Sequence, residues 1–186
     1  MRKGTNIRWQ SFVAACIVFV ILEMLSFVGL DKAFTALSVF GGAPNNSLGT
    51  VMVMFFQPSH LEWLILQMLI AGIVYFVVGW LAARRSGDKQ IGLSTGLWAG
   101  IFFGIISTIV SIGQSLWTFI PMLSWLSGPQ MSNAADLRSF YITFELALLV
   151  SNILASFLLV GLLAGAGAGL LGGIVGLRFA LSSKTS

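Results

Sequence analysis

The sequence predicts an all-α fold, an integral membrane four-helix transmembrane bundle forming a single domain over residues 1–186. Three observations predict it. Of 186 residues, 57% are hydrophobic and only 9% are charged, whereas a soluble domain has about a quarter of its residues charged. The apolar residues collect into four runs, each long enough to cross about 30 Å of hydrocarbon at about 1.5 Å per residue. Two of these runs carry glycine at every fourth position, Gly92, Gly96, Gly100 and Gly104 in one and Gly161, Gly165, Gly169 and Gly173 in the other.

A short basic start, Met1 to Arg8, precedes the first span over about residues 9–30, with Trp9 at the interface. Asp31 to His60 reads as a loop, because Gly41-Gly42-Ala43-Pro44-Asn45-Asn46-Ser47 is a turn signal that forbids a spanning helix. Its apolar flanks, Ala33 to Phe40 and Leu48 to Phe56, suit the membrane surface. The second span covers about residues 61–83, announced by Pro58 and Ser59. A tight basic turn, Arg84-Arg85-Ser86-Gly87-Asp88-Lys89, leads into the third span over about residues 91–120, where Pro121 ends or bends the helix. At about 45 Å this span exceeds the bilayer core and must tilt or protrude. After a loop turned by Ser127-Gly128-Pro129, an approach helix merges into a fourth span over about residues 149–177.

Four spans put both termini on one side. That side holds Arg2, Lys3, Arg8, Arg84, Arg85, Lys89, Arg178 and Lys184, against Lys32 and Arg138 on the other. Positive charge marks the cytoplasmic side, so the N and C termini are expected there, in a multi-pass protein of a plasma membrane, a bacterial inner membrane. The same distribution explains the net charge of +4 and the pI near 9.7 without nucleic acid as a partner.

A four-residue step is close to one helical turn, so each glycine row is a smooth groove along one helix face. Such grooves weaken a helix in water, but in lipid they let backbones approach closely. The third and fourth helices are therefore expected to pack antiparallel through them as a glycine zipper, closed at the cytoplasmic end and wider at the other. Gly-Leu-x-Ala-Gly-x3-Gly occurs at Gly96 and again at Gly161 in helices of opposite direction. An inverted repeat requires that arrangement, although low complexity also produces it.

The candidate ligand or ion residues are few. Glu23 is the one acidic residue deep in a span, about 10 Å from its outer end, and Gln67 lies at similar depth on the second helix. Ser111 and Gln114 belong to a polar stripe that continues the glycine face of the third helix, together with Ser107, Ser115 and Thr118. Asn152 shares a face of the fourth helix with Glu145 and Ser156, roughly opposite Gly161. One reading is a buried acid that binds a cation or carries a proton in an outward-facing cavity around Glu23. The other is a protonated Glu23 hydrogen-bonded between helices, a contact worth about 0.6 kcal/mol. His60, the only histidine, is a weak candidate for a metal, haem or pigment ligand. Its place at a helix start favours a solvated residue instead.

Several chemistries are absent. The single cysteine, Cys16, excludes an intramolecular disulfide and a dithiol oxidoreductase. Val13-Ala14-Ala15-Cys16 resembles a lipoprotein cleavage box, but too few apolar residues precede it to form a signal-peptide core. No Walker, His-Glu-x-x-His or Gly-x-Ser-x-Gly motif occurs. No cofactor is expected beyond bound lipid.

Gly79-Trp80-Leu81-Ala82-Ala83-Arg84-Arg85 followed by the glycine row from Gly92 to Gly104 resembles small uncharacterised bacterial four-helix membrane proteins. These proteins share a Gly-aromatic-x-Ala-x-Arg turn before a glycine-rich helix. The resemblance, over about residues 79–104, implies the four-helix topology and no activity.

The expectation is thus a non-enzymatic membrane subunit or scaffold. Its partners are membrane lipids and other integral membrane proteins, or itself as a homo-oligomer. The alternative is a small carrier or channel for a proton, cation or small solute.

Overall fold

The computed structural model describes residues 2–27, 58–126 and 135–182. In chain order these form α1 (Arg2–Phe27), α2 (Pro58–Ser86), α3 (Lys89–Leu126), α4 (Ala135–Leu154), a π-helical segment (Ala155–Leu163) and α5 (Ala164–Ser182). The described residues are all-helical. Four stretches are long and apolar enough to cross a membrane: Ile7–Phe27, Glu62–Ser86, Lys89–Pro121 and Glu145–Leu181. The last runs continuously through α4, the π segment and α5.

Some boundaries differ from the sequence expectation. The basic start is already helical from Arg2. Pro58 opens α2 at its first position, where a missing N–H costs nothing, so His60 lies in the first turn of a helix and not in a loop. Pro121 does not end α3, which continues to Leu126; proline is tolerated in such helices where neighbouring groups re-satisfy the freed carbonyl. The turn signals at residues 41–47 and 127–129, and the apolar flanks at residues 33–40 and 48–56, lie outside the described residues.

The α2–α3 turn follows from its side chains. Gly87 takes φ +71°, a left-handed conformation that suits glycine, and its N–H donates to the Ala83 carbonyl at 2.8 Å. This is the αL cap that stops α2. Asp88 then caps α3, its carboxylate accepting from the Gln90 N–H at 2.8 Å. Two helices are thereby reversed within two residues.

Each helix buries a small-residue stripe. On α1 it is Ser11, Ala14, Ala15, Val18 and Leu22; on α2, Leu64, Ala71, Tyr75, Ala82 and Ala83. α3 has two adjacent inward rows, the glycines and the set Thr95, Ala99 and Phe103. The most extensive packing is between α2 and α5, followed by α3 with α5.

The π segment changes the phase of the last helix. Ahead of it the buried row is Ala147, Ser151 and Ala155; beyond it the row is Val160, Gly161, Gly165 and Gly169. The step from Ala155 to Val160 is five residues instead of four, as a helix with i→i+5 bonds requires. The Ala164 N–H donates back to the Leu159 carbonyl accordingly.

Candidate functional site

The glycine rows bring three backbones together. A Cβ built on Gly92 would lie 2.5 Å from the Gly173 Cα and 2.9 Å from the Gly79 oxygen. One on Gly169 would lie 2.8 Å from the Gly96 Cα, and one on Gly161 2.7 Å from the Gly100 oxygen. At Gly104 the neighbour is instead the Phe157 ring. α5 also turns a second pair toward α2. A Cβ on Gly172 would reach the Trp80 nitrogen at 2.8 Å, and one on Gly176 the Trp80 oxygen at 2.5 Å. This second pair, together with Gly79, is missing from the sequence-based reading. The four-step row Ala71, Tyr75, Gly79 and Ala83 on α2 was the signal that would have found it.

α1 is attached differently. The Ser11 hydroxyl lies 2.9 Å from the Thr95 carbonyl and 2.8 Å from the Ile7 carbonyl, and Thr95 donates to the Ile91 carbonyl at 2.6 Å. Nearby the Arg8 guanidinium sits 5.1 Å from the centre of the Trp98 ring. Trp98 packs against Phe102 at 5.8 Å, and Phe102 meets Phe12 edge-on at 5.7 Å. At the same end of the bundle Arg84 lies 5.7 Å from the Trp80 ring. Each such cation–π contact is worth about 0.5–1 kcal/mol at an exposed site.

The candidate polar residues are not collected into one site. Glu23 is exposed, beside a groove whose other lining residues, Phe19, Val20, Met24 and Phe27, all belong to α1. Gln67 and Ser111 are half-buried, while Gln114 and Asn152 are exposed. No hydrogen bond joins Glu23 to Gln67 or Asn152 among the described residues. His60 lies on the first turn of α2, and no group of three or more His, Cys, Asp or Glu gathers among the described residues. Cys16 is half-buried and forms no disulfide.

Two features of the site region carry no sequence signal. Tyr75 is wholly buried in the core with its hydroxyl lacking a hydrogen-bond partner among the described residues, and Ser151 is buried in the same condition. A cavity of about 260 Å³ opens between α3 and α4; Ser115 and Glu145 are among the residues that border it, but its surface is almost wholly apolar.

The class defined by these features is a helical bundle with, among the described residues, four helices long and apolar enough to cross a membrane. In comparisons with protein families, curated proteins and solved structures, the chain matches none.

Proposed function

We propose that the chain is a non-enzymatic integral membrane subunit that packs against other membrane proteins, or against further copies of itself, with both termini cytoplasmic in a bacterial inner membrane. The observation that carries this reading is Glu23. It lies within the span Ile7–Phe27, yet it faces outward beside exposed Val20, Met24 and Phe27. Ionisable residues at membrane depth are costly and face a bundle interior or a water-filled cavity. Among the described residues Glu23 faces neither, and a neighbouring chain would supply the interior that receives it. The glycine zipper between α3 and α5 supports the reading in a second way, since it makes a rigid core and leaves α1 at the side. Bound lipid covers the remaining apolar surface.

The carrier reading has less support, because among the described residues the groove at Glu23 is lined by one helix alone. The deciding experiment is mild-detergent purification from the native membrane, comparing wild type with Glu23→Gln and Glu23→Leu. The subunit reading expects stoichiometric partners with wild type, retained by the hydrogen-bonding Gln variant and lost from the Leu variant. A wild-type chain that purifies alone, and in vesicles conducts a cation or proton flux abolished by Glu23→Gln, would overturn it.

A further inference from the structure

The end of the bundle that carries the α2–α3 turn holds a group of cations with little to neutralise them. Arg8, Arg84, Arg85, Lys89 and Arg178 are all exposed there, and none forms an ion pair among the described residues. Asp88 is the one acidic residue in this part of the sequence, and its carboxylate caps α3. We propose that Arg8 and Arg84 each head a binding site for an anionic phospholipid. The inference does not depend on Glu23 or on the subunit reading.

These two arginines are set apart because each is held over an indole ring. The Arg8 guanidinium reaches from α1 to Trp98 of α3, 5.1 Å from the ring centre. The Arg84 guanidinium stands 5.7 Å from the centre of the Trp80 ring. Contact with a ring engages the charge and leaves the hydrogen-bonding capacity unused. No N–H of either side chain has an acceptor among the described residues, so each offers the planar fork that grips a phosphate with two parallel bonds. The ring holds the fork in place, and less side-chain freedom is lost on binding.

Depth and surroundings select a lipid over a free anion. Arg8 is the second residue of the span Ile7–Phe27, and Arg84 stands two residues before the end of the span Glu62–Ser86. Both therefore lie at the level of the head groups. Phe179 of α5 meets the Trp80 ring edge-on at 6.3 Å, and Phe12 of α1 meets Phe102, which packs against Trp98. Phe12 and Phe179 are exposed and offer apolar surface to the first carbons of the acyl chains. Phosphatidylcholine presents the same phosphate, but its own ammonium cancels the charge. Among uncompensated cations a head group with net negative charge gains more.

The test adds dioleoylphosphatidylglycerol or dioleoylphosphatidylcholine to the delipidated full chain in nonionic detergent and counts bound lipids by native mass spectrometry. The wild type is expected to bind two phosphatidylglycerols per chain, about tenfold more tightly than phosphatidylcholine. Arg8→Lys and Arg84→Lys keep the charge that orients the chain but lose the planar fork. Each is expected to remove one of the two tight sites and the double variant both, whereas Arg85→Lys leaves both in place. Excess inorganic phosphate is expected not to compete. Equal affinity of the wild type for the two lipids would overturn the proposal without recourse to any variant. So would an undiminished phosphatidylglycerol preference in the double variant, which would show that net charge alone recruits the lipid. Competition by inorganic phosphate would overturn it as well, because a free anion would then suffice.

Discussion

Gly92→Ala adds a single methyl group at the point where three helices meet, and the structure gives its consequence. The new Cβ would stand 2.5 Å from the Gly173 Cα and 2.9 Å from the Gly79 oxygen, where ordinary contact begins at 3.4 Å. Both obstacles are backbone, so no side chain can rotate aside, and the helices must separate by up to about 1 Å at the junction. Overpacking of this kind costs about 1–3 kcal/mol. Alanine recovers up to about 1 kcal/mol through its better helix propensity, leaving a net loss of up to about 2 kcal/mol. Gly167→Ala is the matched control, because a Cβ there meets nothing within 4 Å. It keeps only the propensity term and should stabilise the protein by up to about 1 kcal/mol. The assay is reversible unfolding in mixed micelles by titration with a denaturing detergent, followed by helical circular dichroism. Opposite signs for the two variants are expected. If Gly92→Ala stabilises the protein as much as Gly167→Ala does, the close approach of α2, α3 and α5 is not what holds the bundle, and the argument fails.

Three further outcomes follow from other contacts. Tyr75→Phe removes a buried hydroxyl that lacks a partner, so stability should hold or rise by about 1 kcal/mol; a clear loss in the same titration would show that the hydroxyl is bonded in the membrane. Ser11→Ala deletes the link to the Thr95 carbonyl and should cost about 0.6 kcal/mol, with a null effect showing that packing alone holds α1. On a Cys16→Ser background, a cysteine at Asn46 should react with an impermeant thiol reagent from outside intact cells and one at Asp88 should not; labelling of position 88 would reverse the orientation expected from the charge asymmetry.

The parts of the fold that were legible in the sequence are those governed by local rules. Span positions follow from apolar runs, the α2–α3 reversal follows from Gly87 and Asp88, and the glycine spacing marks helix faces capable of close approach. The polar residues were harder to place because they depend on phase and on neighbours. Strict α-helical geometry back from Gly161 places Phe157 and Ile153 on the inward row, whereas the structure buries Ala155, Ser151 and Ala147. The π segment supplies that one-residue shift, and no residue in Ala155–Leu163 announces it. The direction in which Glu23 points was not legible for a different reason. Depth along a helix is readable from sequence, but direction around it depends on which neighbours pack against α1. α3 takes the Ser11 face, and Glu23 is left pointing outward. Gly172 and Gly176 were passed over because they fall outside the four-step row containing Gly173, although they are what seats α5 against α2.

The recurrence of Gly-Leu-x-Ala-Gly-x3-Gly acquires a geometric meaning once the contacts are known. Aligning the two copies pairs Gly96 with Gly161, Gly100 with Gly165 and Gly104 with Gly169. A Cβ on Gly165 would meet the Gly96 oxygen at 2.7 Å, and one on Gly100 the Gly161 oxygen. Exchanging the copies turns the first contact into the second, so the motif packs antiparallel against itself with local two-fold character. Extending the alignment pairs Gly92 with Phe157, and here the symmetry breaks chemically. Gly169 meets the Gly92 oxygen at 3.0 Å, whereas the equivalent Gly104 meets the Phe157 ring. A glycine at one end lets three backbones close together; a phenylalanine at the other is a wedge between two of them. The same motif therefore seals the bundle at the end carrying Arg84 and Lys89 and props α3 from the last helix toward the other. The cavity beside Glu145 lies beyond that wedge, where one side-chain difference in a repeated pattern leaves room for it.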